Sequence, residues 1–144
     1  MSDDFDLDRF VTAQAESWPT ARAELQRGRK TSHWMWFVFP QLRGLGRSAT
    51  AQHYGIVSLG EARAYAAHPV LGPRLIEAAR LVAAAPGNAD AIMGSVDALK
   101  LRSSMTLFAA AAADPAPFVA VLDRFYGGTR DPATIALLAD APRG

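Results

Sequence analysis

Asp97, Lys100 and Ser104 stand three and four residues apart, the spacing that sets side chains along one edge of a helix. On such an edge a carboxylate can orient a water or a sugar hydroxyl, and an ammonium can neutralise a phosphate. Arg102 points elsewhere on the same turn and is a second candidate for the phosphate. The plainer alternative is a surface ion pair between Asp97 and Lys100, worth under about 1 kcal/mol. A second set lies in Ser32-His33-Trp34-Met35-Trp36-Phe37-Val38-Phe39-Pro40-Gln41, where His33, Gln41 and the two indole N–H groups are polar members of an apolar run. A buried Trp or His wants a hydrogen-bond partner, and a ligand can supply one. Arg43 and Arg47 follow in a glycine-bearing loop with Gly44 and Gly46, and then comes Gln52-His53-Tyr54. Free backbone N–H groups in such a loop can cradle phosphate, but no P-loop or dinucleotide fingerprint is present and a simple connecting loop is the preferred reading.

Several chemistries are excluded. The chain has no cysteine, so disulfides, thiol nucleophiles and thiolate metal sites are absent. His33, His53 and His68 do not form the close pairs of a helical zinc site. There is no Gly-x-Ser-x-Gly elbow, and Ser103-Ser104 beside Lys100 lacks the other motifs of a serine–lysine enzyme. No metal or redox cofactor is expected. Fifteen basic and fourteen acidic residues give a net charge of +1, with no global pull toward nucleic acid or an anionic membrane. No run approaches the roughly 18 uninterrupted apolar residues of a membrane span, and the acidic start is unlike a signal peptide, so a cytoplasmic location is expected.

These residues need elements to hold them. The 144 residues, half of them hydrophobic, predict a single domain with a real core. The pattern is mainly helical (α+β): about seven helices with one or a few short strands. Residues 33–39 read as a strand apolar on both faces, with His33, Met35, Phe37 and Phe39 on one side and Trp34, Trp36 and Val38 on the other. Val57 or Leu59 is the candidate partner. Asp6 is placed to cap a first helix over Leu7–Ala15, and Pro19 to open a second one running to Arg27. Ser58 and Glu61 form a capping box for a helix that stops at His68-Pro69. Helices are further predicted from Pro69 to about Ala85, from Ser95 to Ala112, after Asp114-Pro115 and after Asp131-Pro132, with single turns near Ala49–Ile56 and Asp90–Met93.

The aromatic run, Leu99-Lys100-Leu101-Arg102-Ser103-Ser104-Met105-Thr106-Leu107-Phe108, Phe5 to Phe10 and His68-Pro69-Val70-Leu71-Gly72 together resemble the bacterial family catalogued as domain of unknown function eighteen-ten. Gln52-His53-Tyr54, followed by Asp97, Lys100, Met105 and Phe108, is similar at greater distance to the NADAR superfamily. That superfamily acts on ADP-ribose-like or ribosyl-phosphate compounds, and some members hydrolyse an N-glycosidic bond. The resemblance implies a NADAR-like fold and a nucleotide or ADP-ribose-like ligand. Its base would stack on Trp34, Trp36 or Tyr54, and its phosphate would meet Arg43, Arg47, Lys100 or Arg102. His33, Gln41, Gln52, His53 and Ser104 would complete the ligand set. Gln52 stands where the superfamily has Glu and cannot take a proton, so Asp97 or Glu61 would supply the carboxylate, with Asp97 the catalytic candidate. A non-catalytic binding module and a protein-interaction domain are the alternatives.

Overall fold

Six consecutive residues of one helix, Ser103 to Phe108, are all buried. That helix spans Ser95–Ala111, and a helix covered all round must lie inside the molecule. The structure, a computed structural model, describes residues 5–140. Numbered in chain order, the helices are α1 (Asp8–Arg27), α2 (Met35–Val38), α3 (Ala49–Tyr54), α4 (Leu59–Ala67), α5 (Leu71–Ala84), α6 (Ala89–Met93), α7 (Ser95–Ala111), α8 (Ala116–Tyr126) and α9 (Pro132–Asp140). The central α7 packs against α4, α6, α8 and α9. A second layer forms where α5 meets α1, α4 and α8, and α2 sits between α1, α3 and α5. Phe108 of α7 joins the layers, with its ring 5.3 Å from Tyr65 of α4 and 5.9 Å from Phe118 of α8.

The expected strand at 33–39 is not formed. Met35–Val38 is a short helical turn, and among the described residues there is no sheet, only an isolated parallel bridge between Leu42 and Ile56. The burial pattern explains the difference. Trp34, Met35, Val38 and Phe39 are buried while Trp36 and Phe37 are half-buried, a helical rather than an alternating period. A strand here would also need a ladder partner for its backbone. The turn instead satisfies itself locally, with the Val38 amide on Trp34 O at 3.1 Å and the Phe39 amide on Met35 O at 3.1 Å. Buried Gln14 of α1 then donates to Phe37 O at 2.6 Å, and the Tyr65 hydroxyl donates to the same carbonyl at 3.1 Å.

The first helix also differs from expectation. α1 runs unbroken through Pro19. Proline removes the bond to the carbonyl four residues back, but Ala15 and Pro19 both face solvent, so water can serve that carbonyl. Asp6 does not cap α1: the N-cap is Leu7, and Asp6 lies one step outside in a left-handed conformation, φ 54°. The Ser58 cap of α4 is present, its hydroxyl accepting from the Glu61 amide at 3.1 Å. Glu61 returns its bond to the Val57 amide, at 2.8 Å, rather than to Ser58. His68 Nδ1 accepts from the amides of Val70 and Leu71 and so opens α5. Among the described residues no helix is long and apolar enough to cross a membrane.

Candidate functional site

The turn of α2 is anchored by a carboxylate that carries no obvious signature in the sequence. Glu24, in the last turn of α1, is buried. It accepts from the amides of Thr31 (2.7 Å) and Ser32 (2.9 Å), the Ser32 hydroxyl (2.5 Å) and the Trp34 indole Nε1 (3.0 Å). Burial pushes the Glu24 carboxyl up. The Ser32 hydroxyl, the two amides and the indole outweigh it and hold the group at about 2, against an ordinary 4.5. Trp34 is therefore a buried structural residue with its N–H already satisfied. It is not available to stack a base.

Trp36, two residues on, projects to the surface. It lines an open hollow with Gln41, Tyr54 and Lys100, over Met35 and Phe39. The Lys100 ammonium lies 5.1 Å from the centre of the Trp36 ring. Asp97, one turn before Lys100 on α7, is 3.8 Å from that ammonium and 2.7 Å from Lys30 Nζ. Lys30 in turn donates to Ser32 O at 2.6 Å and sits 5.1 Å from the Trp34 ring. Two tryptophans, two lysines and one aspartate thus form a continuous chain, with two ionic contacts at Asp97 flanked by a cation–π contact at each end. The hollow itself holds only about 10 Å³, enough for roughly one water. Any larger ligand must lie over its mouth.

The far wall of the hollow is α3, whose first turn is capped by Ser48, accepting from the Ala51 amide at 3.0 Å. The bridge segment 41–43 runs beside the end of α3, with the Ile56 amide on Gln41 O at 2.9 Å and the Arg43 amide on Ile56 O at 2.8 Å. Gly55 permits this approach, because a Cβ there would lie 2.7 Å from Arg43 Cα.

The structure divides the residues singled out from the sequence. Trp36, Gln41, Tyr54 and Lys100 meet in the hollow, and Asp97 borders it through Lys100. Arg43 and His53 line a separate depression together with Arg9 and Glu61. His33, Arg47 and Gln52 are exposed, and Gln52 Nε2 bonds back to Arg47 O at 3.3 Å. Arg102 is drawn away from the hollow. Its guanidinium donates to Thr129 O (3.0 Å) and Arg130 O (2.8 Å), which fastens the chain before α9. Ser104 is fully buried, and among the described residues its hydroxyl is the one buried side-chain polar atom without a partner. Glu61, the reserve carboxylate, is 0% exposed and bonded to Arg9 Nη2 at 2.7 Å. Lys30 and Glu24 are the residues that sequence reasoning missed. Their partners are distant or lie across a turn, so no local spacing marks them. Among the described residues no cluster of His, Asp and Glu is arranged to hold a metal. A third depression, about 550 Å³, lies between α4, α5, α7 and α8; it is mostly apolar and contains none of the residues singled out from the sequence.

None of the curated proteins compared with the chain matches it. Among solved structures, the crystal structure of the conserved hypothetical protein Rv1873 from Mycobacterium tuberculosis is similar over 95% of this chain and 99% of that one, with 56% identity and a TM-score of 0.93. Residues 4–138 match the model of the family described as protein of unknown function (DUF1810), and the chain belongs to that family.

Proposed function

We propose that the protein binds a nucleotide or ADP-ribose-like ligand across the mouth of the Trp36 hollow. The observation that carries this reading is the Lys100 ammonium held over the half-buried Trp36 ring at 5.1 Å, beside Gln41 and Tyr54. A lysine over an indole is exchangeable: the contact is worth about 0.5–1 kcal/mol at an accessible site, and base stacking on an aromatic ring about 1–3 kcal/mol. A base can therefore take the ring while Lys100 turns to the phosphate, and Gln41 can read a polar edge of the base or ribose. The likeness of Asp97, Lys100, Met105 and Phe108 to the NADAR pattern supports the same ligand class and a NADAR-like fold.

Binding without turnover is favoured over N-glycosidic cleavage by one feature. Asp97 Oδ2 is already bonded to Lys30 at 2.7 Å, which leaves only Oδ1 toward the hollow. The test is titration with ADP-ribose and with NAD, read by tryptophan fluorescence and by chromatography of released base. Saturable quenching is expected, and Trp36→Ala and Lys100→Ala should each weaken binding about tenfold or more. Quenching that survives Trp36→Ala would remove the hollow from the reading. Released base that disappears in Asp97→Glu would restore the hydrolytic role. Asp97→Asn is the poorer probe, because it leaves the nearly buried Lys30 ammonium without its counter-charge.

A further inference from the structure

Behind the last turn of α3 lies the second depression, about 350 Å³, within the roughly 300–1,000 Å³ typical of small-molecule sites. Its floor is electrostatically closed. Arg9 uses every guanidinium N–H. Nε donates to His53 O (2.9 Å), Nη1 to Phe5 O (2.7 Å) and Asp6 O (2.8 Å), and Nη2 to Gly55 O (3.2 Å) and Glu61 Oε2 (2.7 Å). Glu61 Oε1 is taken by the Val57 amide. The two side chains are 8% and 1% exposed, so they offer a ligand neither charge nor donor. They hold the rim instead, drawing four carbonyls from two distant segments to one point. The bonds from Arg9 to the Phe5 and Asp6 carbonyls fix the left-handed turn at Asp6, the one non-glycine residue with positive φ among those described.

Two full charges remain on the rim. Asp6 and Arg43 are exposed, make no ion pair with each other, and have no side-chain partner among the described residues. Phe5 and the 45%-exposed Val57 supply an apolar wall beside them. Among the described residues these free charges sum to zero. A simple anion would meet Asp6 and a simple cation would meet Arg43, whereas a ligand carrying both signs satisfies both.

We propose that this depression binds a small zwitterion of the amino-acid class, its carboxylate on Arg43, its ammonium on Asp6 and an apolar side chain against Phe5 and Val57. A guanidinium takes a carboxylate through two parallel bonds, which fixes the orientation of the ligand. The proposal does not depend on the reading of the Trp36 hollow. The test is amide-resonance titration of the full chain near neutral pH with L-leucine, with 4-methylpentanoate (no ammonium) and with 3-methylbutylamine (no carboxylate). Leucine is expected to give saturable shifts at Asp6, Arg43 and His53 to Val57, with each analogue about tenfold weaker. Arg43→Gln and Asp6→Asn should each lose about the same factor without lowering the melting temperature, since both residues are exposed and Asn tolerates the left-handed turn. Trp36→Ala should leave the titration unchanged. No saturable shift with leucine overturns the proposal, and so does a carboxylate-only analogue that binds as tightly as leucine.

Discussion

Glu24 decides how the tryptophan segment is presented. Four donors converge on its carboxylate, and all of them belong to Thr31, Ser32 and Trp34, residues that precede α2. Its folded-state value of about 2 lies below the 4.5 of the free group. The stabilisation is therefore complete above about pH 4.5 and is lost as pH falls toward 2, with a full size of about 3 kcal/mol. Glu24→Gln should cost about 2–3 kcal/mol in urea unfolding at neutral pH, and the gap to wild type should shrink to less than half near pH 2.5. A gap independent of pH would mean that shape, not charge, holds the segment. Trp34 and Trp36 are indistinguishable as letters in the chain, and the sequence assigned both to ligand binding. What separates them is Glu24, ten residues before the first, and that pairing depends on how α1 ends at Gly28 and turns back. The polar edge of Asp97 and Lys100 was legible because a helix repeat fixes it locally. Its third partner, Lys30, was not, because it comes from the other end of the fold.

Among the elements, capped helices were the most readable. Ser58 and Asp131 each mark a helix start in the sequence, and each accepts a backbone amide in the structure. The aromatic segment misled because it is apolar on every side, which removes the polar positions by which a period of two is told from 3.6. Pro19 misled for a different reason: a proline whose missing bond faces water can sit inside a helix. Asp131 shows how much one cap can do. Its Oδ2 accepts from the Thr134 amide (3.2 Å), the Thr134 hydroxyl (2.5 Å) and the Ser103 hydroxyl of α7 (2.9 Å), while its own amide donates to Thr106 Oγ1 (2.9 Å). Burial raises this carboxyl, and the Thr134 and Ser103 bonds, with Arg102 nearby, lower it further than burial lifts it. The cap thus joins α9 to α7, and α9 brings Leu137 within reach of Gly44 in the loop after the hollow. Asp131→Ala should cost about 1–2 kcal/mol, and amide exchange should accelerate first in residues 132–140. Uniform acceleration across α7 and α9 would mean that the two helices open together.

At the scale of the whole molecule, both candidate sites are separate rims on one shared core. The hollow is walled by α2, α3 and α7, and the depression by the start of α1, the bridge segment and the 53–61 segment. The rings of Phe108, Tyr65 and Phe118 lie beneath, each no more than 1% exposed. Tyr65 also reaches Phe37 O of α2, so the aromatic cluster is continuous with the backbone of the tryptophan turn. Phe108→Ala removes the one ring that touches both Tyr65 and Phe118. The expected cost is about 3–5 kcal/mol, a large share of the roughly 5–15 kcal/mol that holds such a domain folded, with a melting temperature lower by about 10 °C. Because α7 is covered by four neighbours, the loss cannot be confined to one of them. Near- and far-ultraviolet circular dichroism should therefore still report one coincident transition. Two separated transitions would show that the layers on either side of α7 unfold independently, and the two rims would then rest on separate foundations.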